Sequence, residues 1–132
     1  MYYGRRDQKT AAYCDWERAF LHELAKTEPQ LALKELREAF DIAKNCYRMR
    51  ITWHSPDLLT KDSKLSSRTF DVTNCEKIIV DLLTLPKFHV QGTHNLNIDD
   101  KYVMTLSSGK RCSTKDWEIR ITIWLELLQK YL

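Results

Sequence analysis

Between Tyr47 and His54 the chain changes side with every residue: Tyr47, Met49, Ile51 and Trp53 alternate with Arg48, Arg50, Thr52 and His54. A period of two belongs to a β-strand with one buried and one wet face, and a helix cannot use it. The period returns late in the chain, in "WEIRITIWLEL". There Ile119, Ile121, Ile123 and Leu125 face one way, and Glu118, Arg120, Thr122 and Glu126 the other. Just ahead, "DKYVMTLSS" reads as a further strand, with "GKRCSTKD" as a hairpin turn joining the two. The chain must therefore build a sheet, and the apolar side of that sheet needs a cover.

The cover comes from segments with helical period. Residues 10–27 place Tyr13, Trp16, Phe20 and Leu24 on one side. Pro29 interrupts that pattern, because the residue before a proline avoids helical geometry. A second helix is expected over residues 30–45, with Leu33, Leu36, Phe40 and Ala43 inward, and a third over 74–85, ending before Pro86. Two stretches without period, Ser55–Thr69 and "KFHVQGTHNLN", read as long connections, a length often reserved for function. The order helix, helix, strand, helix, strand, strand implies an α/β (α+β) fold: a single small mixed sheet packed with helices. Its central strand–helix–strand unit should be a right-handed crossover if the strands are parallel. Residues 1–132 are expected to form one domain.

Composition narrows the class. The chain is 43% hydrophobic and 30% charged, with no apolar run long enough for a membrane span and no secretion signal in "MYYGRRDQK". Cys14, Cys46, Cys75 and Cys112 are widely spaced with no CxxC pair, which argues against a cysteine zinc site and for reduced thiols in a cytoplasm. The net charge of +3 is unevenly spread. Residues 15–41 carry seven acids against four bases, whereas 44–77 carry seven bases against four acids and 101–120 five against two. Such a basic imbalance suits a polyanion, although a mixed solvated surface has the same composition. Trp16, Trp53 and Trp117 read as core or hydrophobic staple; Trp124 falls on the polar side of its strand, as a subunit contact or a ring covered by the tail.

The start of the third helix, "RTFDVTNCEKIIVDLL", carries most of the candidate chemistry. Thr73 and Glu76 fit a capping box, and Lys77 and Asp81 fit an i,i+4 pair on one face with Asn74. Asp71 suits the positive end of the helix dipole, and Asp99 and Asp100 suit a polar turn. These local roles account for every residue without any catalysis.

A second reading comes from resemblance. D-x-T-N-x-x-K-x-x-x-D-x-L at Asp71–Leu83, followed by I-D-D-x-x-V at Ile98–Val103, resembles the RusA-like Holliday junction resolvases. "TAAYCDWERAFLHEL" and "YRMRITWHSPD" look like that family's first helix and its strand leading into a basic loop. The resemblance implies Mg²⁺-dependent (or Mn²⁺-dependent) endonuclease action on branched DNA in recombination and repair, by a homodimer in a bacterial or phage-infected cell. It makes Asp71, Lys77 and Asp100 catalytic, and Asp71, Asp99 and Asp100 metal ligands. Thr73, Asn74 and Asp81 shape the site. Arg5, Arg6, Arg48, Arg50, Lys61, Lys64, Arg68, Lys110 and Arg111 become candidates for phosphate contact. The chain departs from the family in three places. Thr73 stands where the family has a metal-binding aspartate, the connection from Asp81 to Asp99 is longer, and the family's first strand is missing ahead of "YYGRR". The first departure keeps an alternative open: a catalytically impaired relative serving as a DNA-binding or phage structural module. A third possibility is a small interaction protein whose aspartates only cap and turn.

Overall fold

The computed structural model describes residues 11–66, 73–114 and 116–132, with the side chains of Thr73 and Asn74 outside that description. Among these residues, three α-helices and one three-stranded mixed sheet form an α+β fold. The elements are α1 (Ala11–Leu24), α2 (Thr27–Ala39), β1 (Asn45–Ser55), α3 (Thr73–Thr84), β2 (Val103–Cys112) and β3 (Glu118–Leu127). Short 3-10 turns at Pro86–Phe88, Asp100–Tyr102 and Leu128–Tyr131 punctuate the connections. No helix among the described residues is long and apolar enough to cross a membrane.

The sheet order is β2-β1-β3, with β1 parallel to β2 and antiparallel to β3. This corrects the expected hairpin. The last two strands are not partners; they flank β1 on opposite edges. The linker between them passes the end of β1, where the Ser113 N–H donates to the Ser55 carbonyl at 3.0 Å. Five connecting residues reach up to roughly 17 Å, and two strand spacings need only about 10 Å, so the crossing is easy.

Every helix lies on one side of the sheet. Tyr47, Met49, Ile51 and Trp53 of β1 pack against Leu24, Leu33, Cys75, Ile79, Val80 and Leu83. Ile119, Ile121, Ile123 and Leu125 of β3 join them, as the alternation required. Each fully buried aliphatic side chain here stabilises the fold by roughly 1.5–3 kcal/mol. Trp53 is core, but Trp117 is 52% exposed and belongs to the surface, because it lies in the crossing linker rather than in a strand.

The second helix begins earlier and ends earlier than its apolar stripe suggested. Pro29 sits inside its first turn, where a missing N–H costs nothing because that position has no helical acceptor. The helix stops at Ala39 because Asp41 and Asn45 close a turn: Asp41 Oδ1 accepts from the Ala43 N–H and Asn45 Oδ1 from the Asp41 N–H. Ala43 is therefore a turn residue. The long connection after β1 is also partly ordered. Leu59 and Leu65 bridge each other, and Ser63, at φ 61°, turns the chain between them.

Candidate functional site

The geometry of the candidate site starts from helical spacing. Lys77 and Asp81 are one turn apart on α3, and Lys77 Nζ lies 3.4 Å from Asp81 Oδ1. The same ammonium lies 3.7 Å from Asp100 Oδ2, contributed from a point far along the chain. Three residues singled out in the sequence thus converge: one lysine between two aspartates. Lys77 is held above the usual lysine range, chiefly by the Asp81 carboxylate and further by Asp100. With the lysine side chain 76% exposed, the pair adds little stability. Its meaning is positional.

What delivers Asp100 is the C-terminal end of α3. A helix leaves its last carbonyls without partners, and here the following connection supplies them. Asn95 is fully buried, and its Nδ2 donates to the carbonyls of Leu82 at 3.0 Å and Leu85 at 2.9 Å. The N–H of Leu96 donates to Leu83, and that of Ile98 to Thr84, each at 2.8 Å. From behind, Arg37 Nη1 donates to the Asn95 carbonyl, and Gln30 clamps His94 through both of its amide atoms. His89 Nδ1 accepts from the Asn95 N–H, so its Nε2 carries the proton shared with His94 Nδ1. The connection that looked irregular is therefore docked residue by residue, and it ends at Asp99 and Asp100. Asn95 had no signal in the sequence: a buried asparagine and a loop asparagine look alike.

The remaining carboxylates have individual tasks. Asp99 caps the Asp100–Tyr102 turn by accepting from the Lys101 N–H, and that hydrogen bond holds its carboxyl below the usual range. Glu76 Oε1 accepts from Ser108 Oγ at 2.6 Å, tying α3 to β2. Asp71, Arg5, Arg6 and Arg68 lie outside the described residues, as do the side chains of Thr73 and Asn74, so the capping box and the third ligand position do too.

The proposed phosphate contacts divide among three places. Arg48, Arg50 and Arg111 occupy register positions on the sheet face away from the helices, whereas Lys110, opposite Trp53, belongs to the helix side. Lys61 and Lys64 sit at the tip of the Leu59–Leu65 turn. Trp124, opposite Arg48, lies beneath two cations: the Arg48 guanidinium is 4.0 Å from its ring centroid and that of Arg50 5.6 Å. An apolar groove of about 770 Å³ lies elsewhere, between α1 and β3, lined by Trp16, Phe20, Trp53, Trp117 and Ile119, away from the aspartates.

Among the described residues no group of three or more His, Cys, Asp or Glu side chains gathers to hold a metal. Asp81 and Asp100 both face the Lys77 ammonium, and Mg²⁺ is commonly held by one or two carboxylates with waters and substrate phosphate completing its shell. Asp81 and Asp100 match that number of carboxylates, with Lys77 as the cation they share here. Compared with family models, curated proteins and solved structures, the chain matches none.

Proposed function

We propose that the chain is a RusA-like, Mg²⁺-dependent endodeoxyribonuclease that cleaves branched DNA such as Holliday junctions, working as a homodimer in the cytoplasm of a bacterial or phage-infected cell. The observation that carries this reading is the convergence of Lys77, Asp81 and Asp100, residues of a motif read from sequence alone. Asp100 and Asp81 would hold the ion together with Asp71, and Asp99 would support them. Bound there, Mg²⁺ supplies polarisation of the scissile phosphate and a lowered pKa for the attacking water. Lys77 contributes a fixed positive charge beside the phosphate oxygens, where negative charge grows as the bond breaks. Docking of residues 94–98 on α3 keeps Asp100 in place without reorganisation at the moment of reaction. Two copies related by a two-fold axis match the symmetry of a four-way junction.

A second reading is favoured by one observation. Thr73 stands at the position where the resembling family has a further metal-binding aspartate, and a hydroxyl is a poorer Mg²⁺ ligand than a carboxylate. On that reading the chain binds branched DNA without cutting it.

A synthetic four-way junction separates the two. The nuclease reading expects nicking in Mg²⁺ or Mn²⁺, lost in Asp100→Asn and reduced at least tenfold in Lys77→Ala, with junction binding retained. Binding with no nicking in either ion, between pH 7 and 9, would refute it in favour of the second reading.

A further inference from the structure

The sheet has a second face that no α-helix among the described residues covers. The Leu128–Tyr131 turn closes over one end of it, where the Tyr131 hydroxyl meets Thr105 Oγ1 at 2.7 Å and Cys46 is buried. The residues of this face form four cross-strand rows: Thr105–Arg48–Trp124, Ser107–Arg50–Thr122, Gly109–Thr52–Arg120 and Arg111–His54–Glu118. Four arginines share these rows with Glu118, and Glu126 stands in the next row, opposite Cys46; both carboxylates are already engaged. Glu118 accepts from Arg120 at 3.0 Å, while Glu126 takes Lys130 at 2.5 Å, the Tyr131 hydroxyl at 2.6 Å and Arg48 Nε at 3.7 Å, which leaves Arg50 and Arg111 as the arginines of the face that neither of these two carboxylates holds. Arg50, Arg111 and Arg120 are exposed, and the β2 edge of the surface is open at Gly109, where an added Cβ would meet nothing within 4 Å.

We infer that this face is a binding track for the sugar–phosphate backbone of single-stranded nucleic acid, separate from the helix-side site of Lys77 and Asp100. Three features select that occupant. The charge left over on the face is positive, which suits a polyanion. Same-face side chains repeat every ~6.6 Å along β1, a step that an extended strand of phosphates can follow from Arg48 and Arg50 toward Arg111. The three strands make a surface about 10 Å wide, and among the described residues no α-helix projects from it to enter a duplex groove. Trp124 orders the track: with Arg48 4.0 Å and Arg50 5.6 Å from its ring, two long flexible cations are fixed before any ligand arrives. The ordering cost is met during folding, which strengthens binding without adding a contact. The inference does not depend on the nuclease reading, because none of these residues touches the aspartates.

The test is fluorescence anisotropy of labelled oligo-dT with the full chain, in EDTA so that no cleavage can occur, over a series of salt concentrations. Arg50→Gln and Arg111→Gln should each weaken binding about tenfold and flatten the slope of log K against log salt by about 0.7, one counterion per lost arginine. Trp124→Leu should weaken binding with the slope unchanged, because it removes order and not charge. Lys34→Gln, which removes an exposed cation on α2 outside both sites, should leave oligo-dT affinity intact. Circular dichroism of each variant checks the fold. Three results would overturn the proposal: slopes equal to that of the parent, a duplex of the same sequence bound as tightly as the single strand, or a homodimer in which oligo-dT no longer competes for the face.

Discussion

Replacing Asn95 by alanine tests what holds the candidate site together. The side chain is fully buried; its amide donates to two carbonyls at the end of α3, and its Oδ1 accepts from the Asn97 N–H at 2.8 Å. Truncation leaves the Leu82 and Leu85 carbonyls and the Asn97 N–H without these partners. A buried polar group stripped of its partner costs roughly 1–3 kcal/mol. Some of the three will find water, so the expected loss is about 2–5 kcal/mol, a large part of the 5–15 kcal/mol that holds a typical domain. In urea the midpoint should fall by about 1–3 M at unchanged slope. Asn95→Asp should cost more than alanine, because it aims a carboxylate at two carbonyls. If nicking is present in the parent, it should fall in Asn95→Ala even under conditions where the variant is folded, since Asp100 loses its anchor. A loss under about 0.5 kcal/mol in the alanine variant would refute the claim that this residue docks the connection.

Tyr47 is buried, its hydroxyl donating to the Leu36 carbonyl, and burial pushes its pKa up to about 12. An unfolded tyrosine titrates near pH 10, so the native state holds its proton longer. The associated stability is complete below pH 10 and is lost as pH rises toward 12, by up to about 2–3 kcal/mol. Urea denaturation across that range should show the loss in the parent and a smaller one in Tyr47→Phe; equal losses would remove Tyr47 from the account. A thiol reagent should label exposed Cys112 first and leave Cys46 untouched until unfolding, because Cys46 is buried and burial raises its pKa. Labelling of Cys46 at the rate of Cys112 would contradict the packing of the tail against β1. Ile79→Ala, at a fully buried core position, should lower stability by about 2–5 kcal/mol in the same denaturation assay.

The faces of the sheet were legible in the sequence, and its edges were not. Alternation says which residues of β1 and β3 point inward, and Met49, Ile51, Ile121 and Ile123 do. It says nothing about which strand lies beside which, because hydrogen-bonding edges carry no side chains. The short linker after β2 therefore suggested a hairpin, where the chain instead crosses β1. The site divides in the same way. Lys77 and Asp81 meet by helical spacing, which sequence gives directly. Asp100 joins them only because Asn95, Leu96 and Ile98 satisfy the end of α3, a tertiary event with no local pattern. Glu76 illustrates the ambiguity of short motifs: its position fits a cap, and its carboxylate reaches across to Ser108.

The central place of β1 also constrains how the protein is made. Both of its edges are filled from later in the chain, by residues after Val103 on one side and up to Leu127 on the other. While the chain is being synthesised, at roughly 5–20 residues per second, β1 emerges early and then waits with both hydrogen-bonding edges open. Such contacts, distant in sequence, slow folding, and an unpaired apolar strand can recruit another copy. Arg48 and Arg50, spaced along that strand, then have a second use as charges that keep nascent copies apart.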